Sequence, residues 1–194
     1  MSNGPRRALA LLPELHGLVL AGGRSVRMGR DKADIAYGPL PQWRAVADLL
    51  APVCVRVWWS CTEAQRTAWK IGDAGIVDHA PGLGPAAGLH AAFTRVPRVA
   101  WIALGCDYPD LHAHDVRALV AARAPDADAI AFTPATHDAL DPMLSIWEPA
   151  AQEAFLQRFA AGERSPRRML QAVRLRTITP HDPTRLVDRN SPSP

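Results

Sequence analysis

The stretch LAGGRSVRMGRDKA (residues 20–33) sets two glycines directly behind an apolar run. Four basic side chains, Arg24, Arg27, Arg30 and Lys32, and one acid, Asp31, then follow within nine positions. Gly22 and Gly23 carry no Cβ, so the backbone can come close to a ligand and turn its amides toward it. The guanidinium and ammonium groups supply charge suited to phosphate oxygens. The anion such a loop would hold is a phosphate chain. The same residues also fit an ordinary strand-to-helix turn whose arginines face water. Two common phosphate loops are excluded: Gly22, Ser25 and Gly29 do not make GxGxxG, and no GK[ST] follows a glycine as a Walker A loop requires.

A loop of this kind needs a rigid frame. Short apolar runs at residues 16–21, 53–59, 100–104, 129–133 and 143–147 alternate with stretches of helical period at 43–50, 88–95, 115–122 and 150–161. Buried strands alternating with helices predict an α/β fold, a single doubly wound and mostly parallel sheet with helices on both faces. Asp115 is positioned to cap VRALVAA, and Ser165 followed by Pro166 reads as N-cap and first residue of a helix over RRMLQAV. The 194 residues suit one domain, assigned to 14–190, with 1–13 as a flexible extension and 191–194 as a tail. In such sheets ligands collect at the carboxyl ends of the strands, where the glycine loop stands.

Composition narrows the classes of function. Lys plus Arg outnumber Asp plus Glu by only 22 to 19, which argues against a surface that coats nucleic acid. Cys54, Cys61 and Cys106 show no metal-binding spacing and suit a reducing cytoplasm. The run ALALL behind Arg6 and Arg7 is too short for a signal peptide, and no stretch approaches the roughly 20 apolar residues of a membrane span. His112 and His114, with no third ligand nearby in sequence, read as solvated side chains rather than a metal site. Cys106, beside an apolar strand, reads as a small packing residue rather than a nucleophile.

The glycine loop resembles the LAGGxSxRMGxDKA signature of nucleotidyltransferases that share the molybdenum cofactor guanylyltransferase fold. Further resemblances follow in order: IVDHAPGLGPAAGL (76–89) to a D...GPLAGI segment, ALGCDYPDL (103–111) to CDxPxL, and DPMLSIW (141–147) to an HPxxAxx strand. AGER (161–164) and VDRNSP (187–192) are similar to AGER and NxNTPE elements. The resemblance implies Mg²⁺-dependent transfer of GMP from GTP onto molybdopterin, with loss of pyrophosphate. It also implies molybdoenzyme-maturation proteins as partners; the charge balance and the absence of a long apolar stretch point to no nucleic-acid and no membrane partner. Approach to a triphosphate demands positioning and charge neutralisation. Lys32 and Arg27 are the candidates for neutralising the β and γ phosphates, and Leu20, Ala21, Gly22 and Gly23 for the loop against the nucleotide. Asp107 follows a buried run and is the carboxylate expected to bind Mg²⁺, which is usually held by one or two carboxylates and phosphate oxygens. The resemblance gives Asp107 the same role. It places Asp78 against the base or ribose, Gly84, Pro85 and Gly88 in the turn flanking the base, and Asn190 in the metal shell.

Departures from the family pattern leave base and acceptor open. DIAYGPLPQW lacks the lysine of GKP, is one residue longer and carries Asp34 in place of an apolar residue. Trp58 and Trp59 occupy the strand whose end usually supplies a base-reading Asn, leaving Ser60 as the nearest small polar side chain. Asp141 replaces the His of HP, Asp188 replaces the first Asn of NxNTPE, and the sequence ends at Pro194 without the family's closing helix. The alternatives are a cytidylyltransferase acting on molybdopterin or on a sugar or polyol phosphate, and a catalytically weakened nucleotide- or partner-binding relative.

Overall fold

The computed structural model describes residues 12–22, 32–77, 83–133 and 140–186. Seven strands form one sheet: β1 (Leu15–Leu20), β2 (Arg56–Cys61), β3 (Gly75–Val77), β4 (Ala100–Gly105), β5 (Ala129–Phe132), β6 (Leu144–Trp147) and β7 (Leu175–Ile178). Their spatial order is β3-β2-β1-β4-β6-β5-β7. Only β6 runs against its neighbours β4 and β5; all other pairings are parallel. The helices are α1 (Gln42–Leu50), α2 (Glu63–Trp69), α3 (Pro85–Arg95), α4 (Ala113–Ala121), α5 (Pro149–Ala160) and α6 (Pro166–Gln171).

Every residue of β1, β4, β5 and β6 is buried, because helices cover both faces. Side chains alternate between two cores. Leu15, Val19, Ile102 and Leu104 pack with Val46 and Leu50 of α1 and Val116 and Leu119 of α4. Leu18, Leu20, Trp101 and Trp147 pack with Leu89 and Phe93 of α3, Phe155 of α5 and Met169 of α6. Each fully buried Leu, Ile or Phe contributes about 1.5–3 kcal/mol by leaving water, so these two layers hold the strand ends in place.

Several local expectations are corrected. The apolar run at 53–59 enters the sheet only at Arg56. Val53 and Cys54 instead donate their N–H groups to the Leu50 carbonyl at 3.1 Å, closing α1, and the strand ladder opens with Val55 N–H on the Leu15 carbonyl at 2.9 Å. Asp115 is not the N-cap of α4; His112 is. Asp115 lies three residues inside and accepts from the His112 N–H at 3.0 Å. Helix α2 and strand β7 fall outside the apolar pattern. Thr62 and Gln65 start α2 with a reciprocal capping box, Thr62 N–H to Gln65 Oε1 at 2.7 Å and Gln65 N–H to Thr62 Oγ1 at 3.2 Å. Ser165 does cap α6, with Pro166 as its first residue.

The chain leaves β1 for β2 on one side and later returns to β4 on the other. The reversal of strand order therefore falls between β1 and β4, and the loops following these two strands face one crevice.

Candidate active site

The two loops at that crevice carry Lys32 and Asp107. Lys32 opens a 3-10 turn, Lys32–Asp34, anchored by the buried methyl of Ala33. Asp107 stands two residues past the end of β4. Lys32 Nζ lies 3.5 Å from Asp107 Oδ1 although 75 residues separate them. Their side chains are 21% and 35% exposed, so the ion pair is open to incoming ligand and to solvent. Behind it the frame is buried. Tyr108 is buried and its O–H donates to Asp141 Oδ2 at 2.5 Å. Buried Gln42, the first residue of α1, donates from Nε2 to the Tyr108 carbonyl at 3.3 Å.

The end of β1 is tied to β2. The N–H groups of Ala21 and Gly22 both donate to the Ser60 carbonyl, at 3.1 and 2.8 Å, and Gln65 Nε2 donates to the Ala21 carbonyl at 3.2 Å. In this arrangement the Gly22 amide is spent on the sheet, so backbone donors for a phosphate must come from farther along the loop. Gly84 caps α3 with φ +61°, a conformation that suits glycine, and Pro85 is the first helical residue. Gly88 is one turn farther in. A Cβ there would stand 2.3 Å from Ser60 Oγ and 3.0 Å from Leu20 Cδ2, so its smallness lets α3 sit against β1 and β2. A cavity of about 660 Å³ opens beside this corner, lined by Ile76, Val77, Ala87, His90 and Phe159 among others. Its lining includes none of Gly84, Pro85, Gly88, Lys32 and Asp107.

Gly23, Arg24, Arg27, Arg30, Asp78, Asp188 and Asn190 lie outside the described residues. The departures that are described have structural partners. Asp34 Oδ1 accepts from Trp69 Nε1 at 2.8 Å, and Trp69 stacks on Trp43 with centroids 4.8 Å apart. Trp58 and Trp59 face opposite sides of the sheet. Trp59 donates to the Trp43 carbonyl, while Trp58 donates to Nδ1 of buried His16 at 3.0 Å and carries the Arg56 guanidinium 4.0 Å from its ring. Burial holds the His16 pKa below the usual imidazole value. Both tryptophans act as core.

Cys106 is buried within the first core, as a packing role requires. Burial pushes the Cys54 thiol up to about 12, which makes it inert. His112 and His114 are not alone. The rings stack 5.9 Å apart, and His181, distant in sequence, brings a third imidazole within 6.3 Å of His114. His114 Nε2 stands 2.9 Å from buried Asp115 Oδ1 and 3.2 Å from Arg185 Nη1. Among the described residues no group of three His, Cys, Asp or Glu is arranged to hold an ion.

Sequence reasoning missed Tyr108, Gln42 and Gln65 as parts of the site. The only signal for the first was its place between the Asp and Pro of CDYP; the two glutamines carried none.

An open α/β sheet with a cation facing a carboxylate at its strand-order reversal is the architecture of the nucleotide-handling α/β proteins, whose ligands collect at the carboxyl ends of the strands. The particular family follows from comparison. The MobA-like NTP transferase domain matches residues 17–178. The molybdenum cofactor guanylyltransferase of Pseudomonas paraeruginosa is 31% identical over 189 residues, covering 93% of this chain and 92% of that protein. The molybdenum cofactor biosynthesis bifunctional protein of Synechocystis is 30% identical over 179 residues. There the match covers 92% of this chain, which spans about half, 52%, of that longer relative. The crystal structure of molybdopterin-guanine dinucleotide biosynthesis protein A from Archaeoglobus fulgidus superposes with a TM-score of 0.65 at 20% identity, covering 84% of this chain and 83% of that one, a likeness of fold. The chain belongs to the MobA-like NTP transferase domain family. No helix among the described residues is long and apolar enough to cross a membrane.

Proposed function

We propose that the protein transfers GMP from GTP to the phosphate of molybdopterin and releases pyrophosphate. The observation that carries this reading is Lys32 facing Asp107 at 3.5 Å across the crevice, which joins the signature loop to the loop after β4. A triphosphate entering there meets a cation on one wall and a carboxylate on the other. In the reaction an oxygen of the acceptor phosphate attacks the α-phosphorus of GTP, and the bond to the bridging oxygen of the leaving pyrophosphate breaks in line. Lys32 and Arg27 neutralise the charge that builds on the leaving oxygens, where preorganised donors act most strongly.

The donor that Asp107 offers is a hard carboxylate oxygen with part of its surface open, which fits Mg²⁺ sharing its shell with phosphate oxygens and water. Asn190 would join that shell. Mg²⁺ held there would withdraw charge from the α-phosphate and from the leaving oxygens. In this reading Asp78 and the Gly84–Pro85 corner serve the nucleoside and Gly23 serves the phosphates.

The base preference is guanine, with a margin loosened by the Ser60 substitution to about 1–2 kcal/mol for one lost hydrogen-bonding partner. Ser60 is buried, its carbonyl is engaged by Ala21 and Gly22, and its Oγ lies against α3 at Gly88, which suits a structural post better than a base reader. Competition binding of GTP and CTP with Mg²⁺, paired with pyrophosphate release on adding molybdopterin, tests the reading. GTP should compete about 5- to 30-fold better than CTP, the same energy expressed as a ratio. A preference for CTP would reassign the base, and tight binding without pyrophosphate release would make the protein a binding relative.

A further inference from the structure

Because β6 is antiparallel to β4, its beginning lies at the ligand edge. The register pairs Leu104 with Leu144. Asp107 lies three residues past Leu104 and Asp141 three before Leu144, so both adjoin paired strand ends at the sheet's mouth. The strands stay close there: Gly105 N–H donates to the Met143 carbonyl at 2.9 Å. A Cβ on Gly105 would meet Met143 Cε at 3.2 Å and Tyr108 Cε2 at 3.5 Å. Asp141 is fixed on several sides. Its Oδ1 accepts from the Met143 N–H at 2.9 Å, its own N–H donates to the Phe132 carbonyl of β5 at 3.4 Å, and its Oδ2 accepts from the Tyr108 O–H at 2.5 Å.

We infer that Tyr108 and Asp141 form a positioning pair that aims the Asp107 carboxylate at the divalent ion and the nucleotide triphosphate. The inference rests on the metal role proposed for Asp107 and extends it to two residues that touch neither ion nor nucleotide. Asp107 is partly exposed and pairs with Lys32 at 3.5 Å, so the direction of its carboxylate depends on the backbone of the loop that carries it. Its neighbour Tyr108 is buried, held at the carbonyl by Gln42 and at the hydroxyl by Asp141. A charge-assisted bond of this kind is both shorter and stronger than a neutral one. It carries the rigidity of β5 and β6 to the loop after β4. An acid at 141 is thus the partner that a tyrosine at 108 requires, and the two must be read together.

The experiment uses the full chain. Mn²⁺ binding in the presence of GTP is followed by electron paramagnetic resonance and calorimetry, beside the Mg²⁺ dependence of pyrophosphate release, for Tyr108→Phe, Asp141→Ala, their combination, Asp141→Asn and Asp107→Asn. Tyr108→Phe and Asp141→Ala should each weaken ion binding by about 10-fold or more, the range found when groups that orient a ligand are removed. The double variant should be no weaker than the worse single. Asp141→Asn should lose less, because its amide oxygen still accepts from the Tyr108 O–H. If Tyr108→Phe lowers the melting temperature yet leaves ion affinity unchanged while Asp107→Asn destroys it, the pair is only structural and the inference fails alone. If Asp141→Asn loses as much as Asp107→Asn while Tyr108→Phe loses nothing, Asp141 touches the ion and the inference is wrong. An Asp107→Asn variant with intact ion binding would sink the metal assignment and this inference with it.

Discussion

Replacing Lys32 with alanine should separate the work of a charge from the work of the fold. The ammonium faces Asp107 at 3.5 Å, and the two side chains are 21% and 35% exposed. A pair this open is screened by water and contributes at most about 1 kcal/mol to stability. For a chain of this size that is a fall of about 2–4 °C in melting temperature. In the proposed reaction the same ammonium would meet the charge that grows on the leaving phosphates. Removing one preorganised donor from such a site costs about 2.7–4 kcal/mol, or 10²–10³ in kcat. Pyrophosphate release under saturating GTP, Mg²⁺ and acceptor should therefore fall by two orders of magnitude or more, while thermal unfolding followed by circular dichroism barely moves. A variant with wild-type kcat would refute the role assigned to Lys32. A loss of activity that merely follows a collapse in melting temperature would refute it equally.

Three further outcomes follow from buried contacts. Arg123 and Glu148 form a two-pronged pair at 2.6 and 3.1 Å with both side chains under 10% exposed, so Arg123→Met strands a buried carboxylate. Chemical denaturation should show a loss of about 3–5 kcal/mol, and adding Glu148→Gln should restore part of it; an unchanged midpoint in the single variant contradicts the pairing. Gly88→Ala drives a methyl to 2.3 Å from Ser60 Oγ and should cost about 1–3 kcal/mol by overpacking. Combining it with Ser60→Ala should relieve part of that cost, and an unchanged melting temperature for Gly88→Ala would disprove the close approach. For His16 the folded pKa lies below the ordinary 6.5, so below that pH the unfolded chain takes up a proton that the folded protein refuses. Its contribution is whole above about pH 6.5 and is lost as pH falls toward the folded value, by at most about 1.4 kcal/mol per pH unit. His16→Gln keeps an acceptor for Trp58 and cannot titrate, so its melting temperature should fall less than the wild type's between pH 7.5 and 5.5; parallel curves would contradict this.

What the sequence revealed follows from which forces leave a local mark. Strands β1 and β4 read as continuous apolar runs because helices cover both of their faces, and the glycine loop announces itself by composition. Strand β7 and helix α2 lie at the margins, where LRTI is only half-buried and EAQRTAW buries little beyond Gln65, so no hydrophobic period betrays them. The start of β2 was misplaced because the closing turn of α1 claimed Val53 and Cys54, a competition for carbonyls that apolar content does not record. Within the candidate site, Lys32 and Asp107 stand out in the sequence as single residues, each in a recognisable loop. The bond from Tyr108 to Asp141 was not, since it depends on the reversed direction of β6. Neither was the use of the Gly22 amide by Ser60, which depends on where one carbonyl points, nor the approach of His181 to His114 across 67 residues of chain.

Transfer of a guanylyl unit in this crevice is the proposed reaction. GTP labelled at the α-phosphorus, incubated with the full chain, Mg²⁺ and molybdopterin, tests it most directly, with products separated and weighed by mass spectrometry. The label should appear in a molybdopterin–GMP adduct while unlabelled pyrophosphate is released in equal amount, and both products should vanish with Asp107→Asn. Label that stays in GTP, or that emerges as free GMP with no adduct, would contradict it.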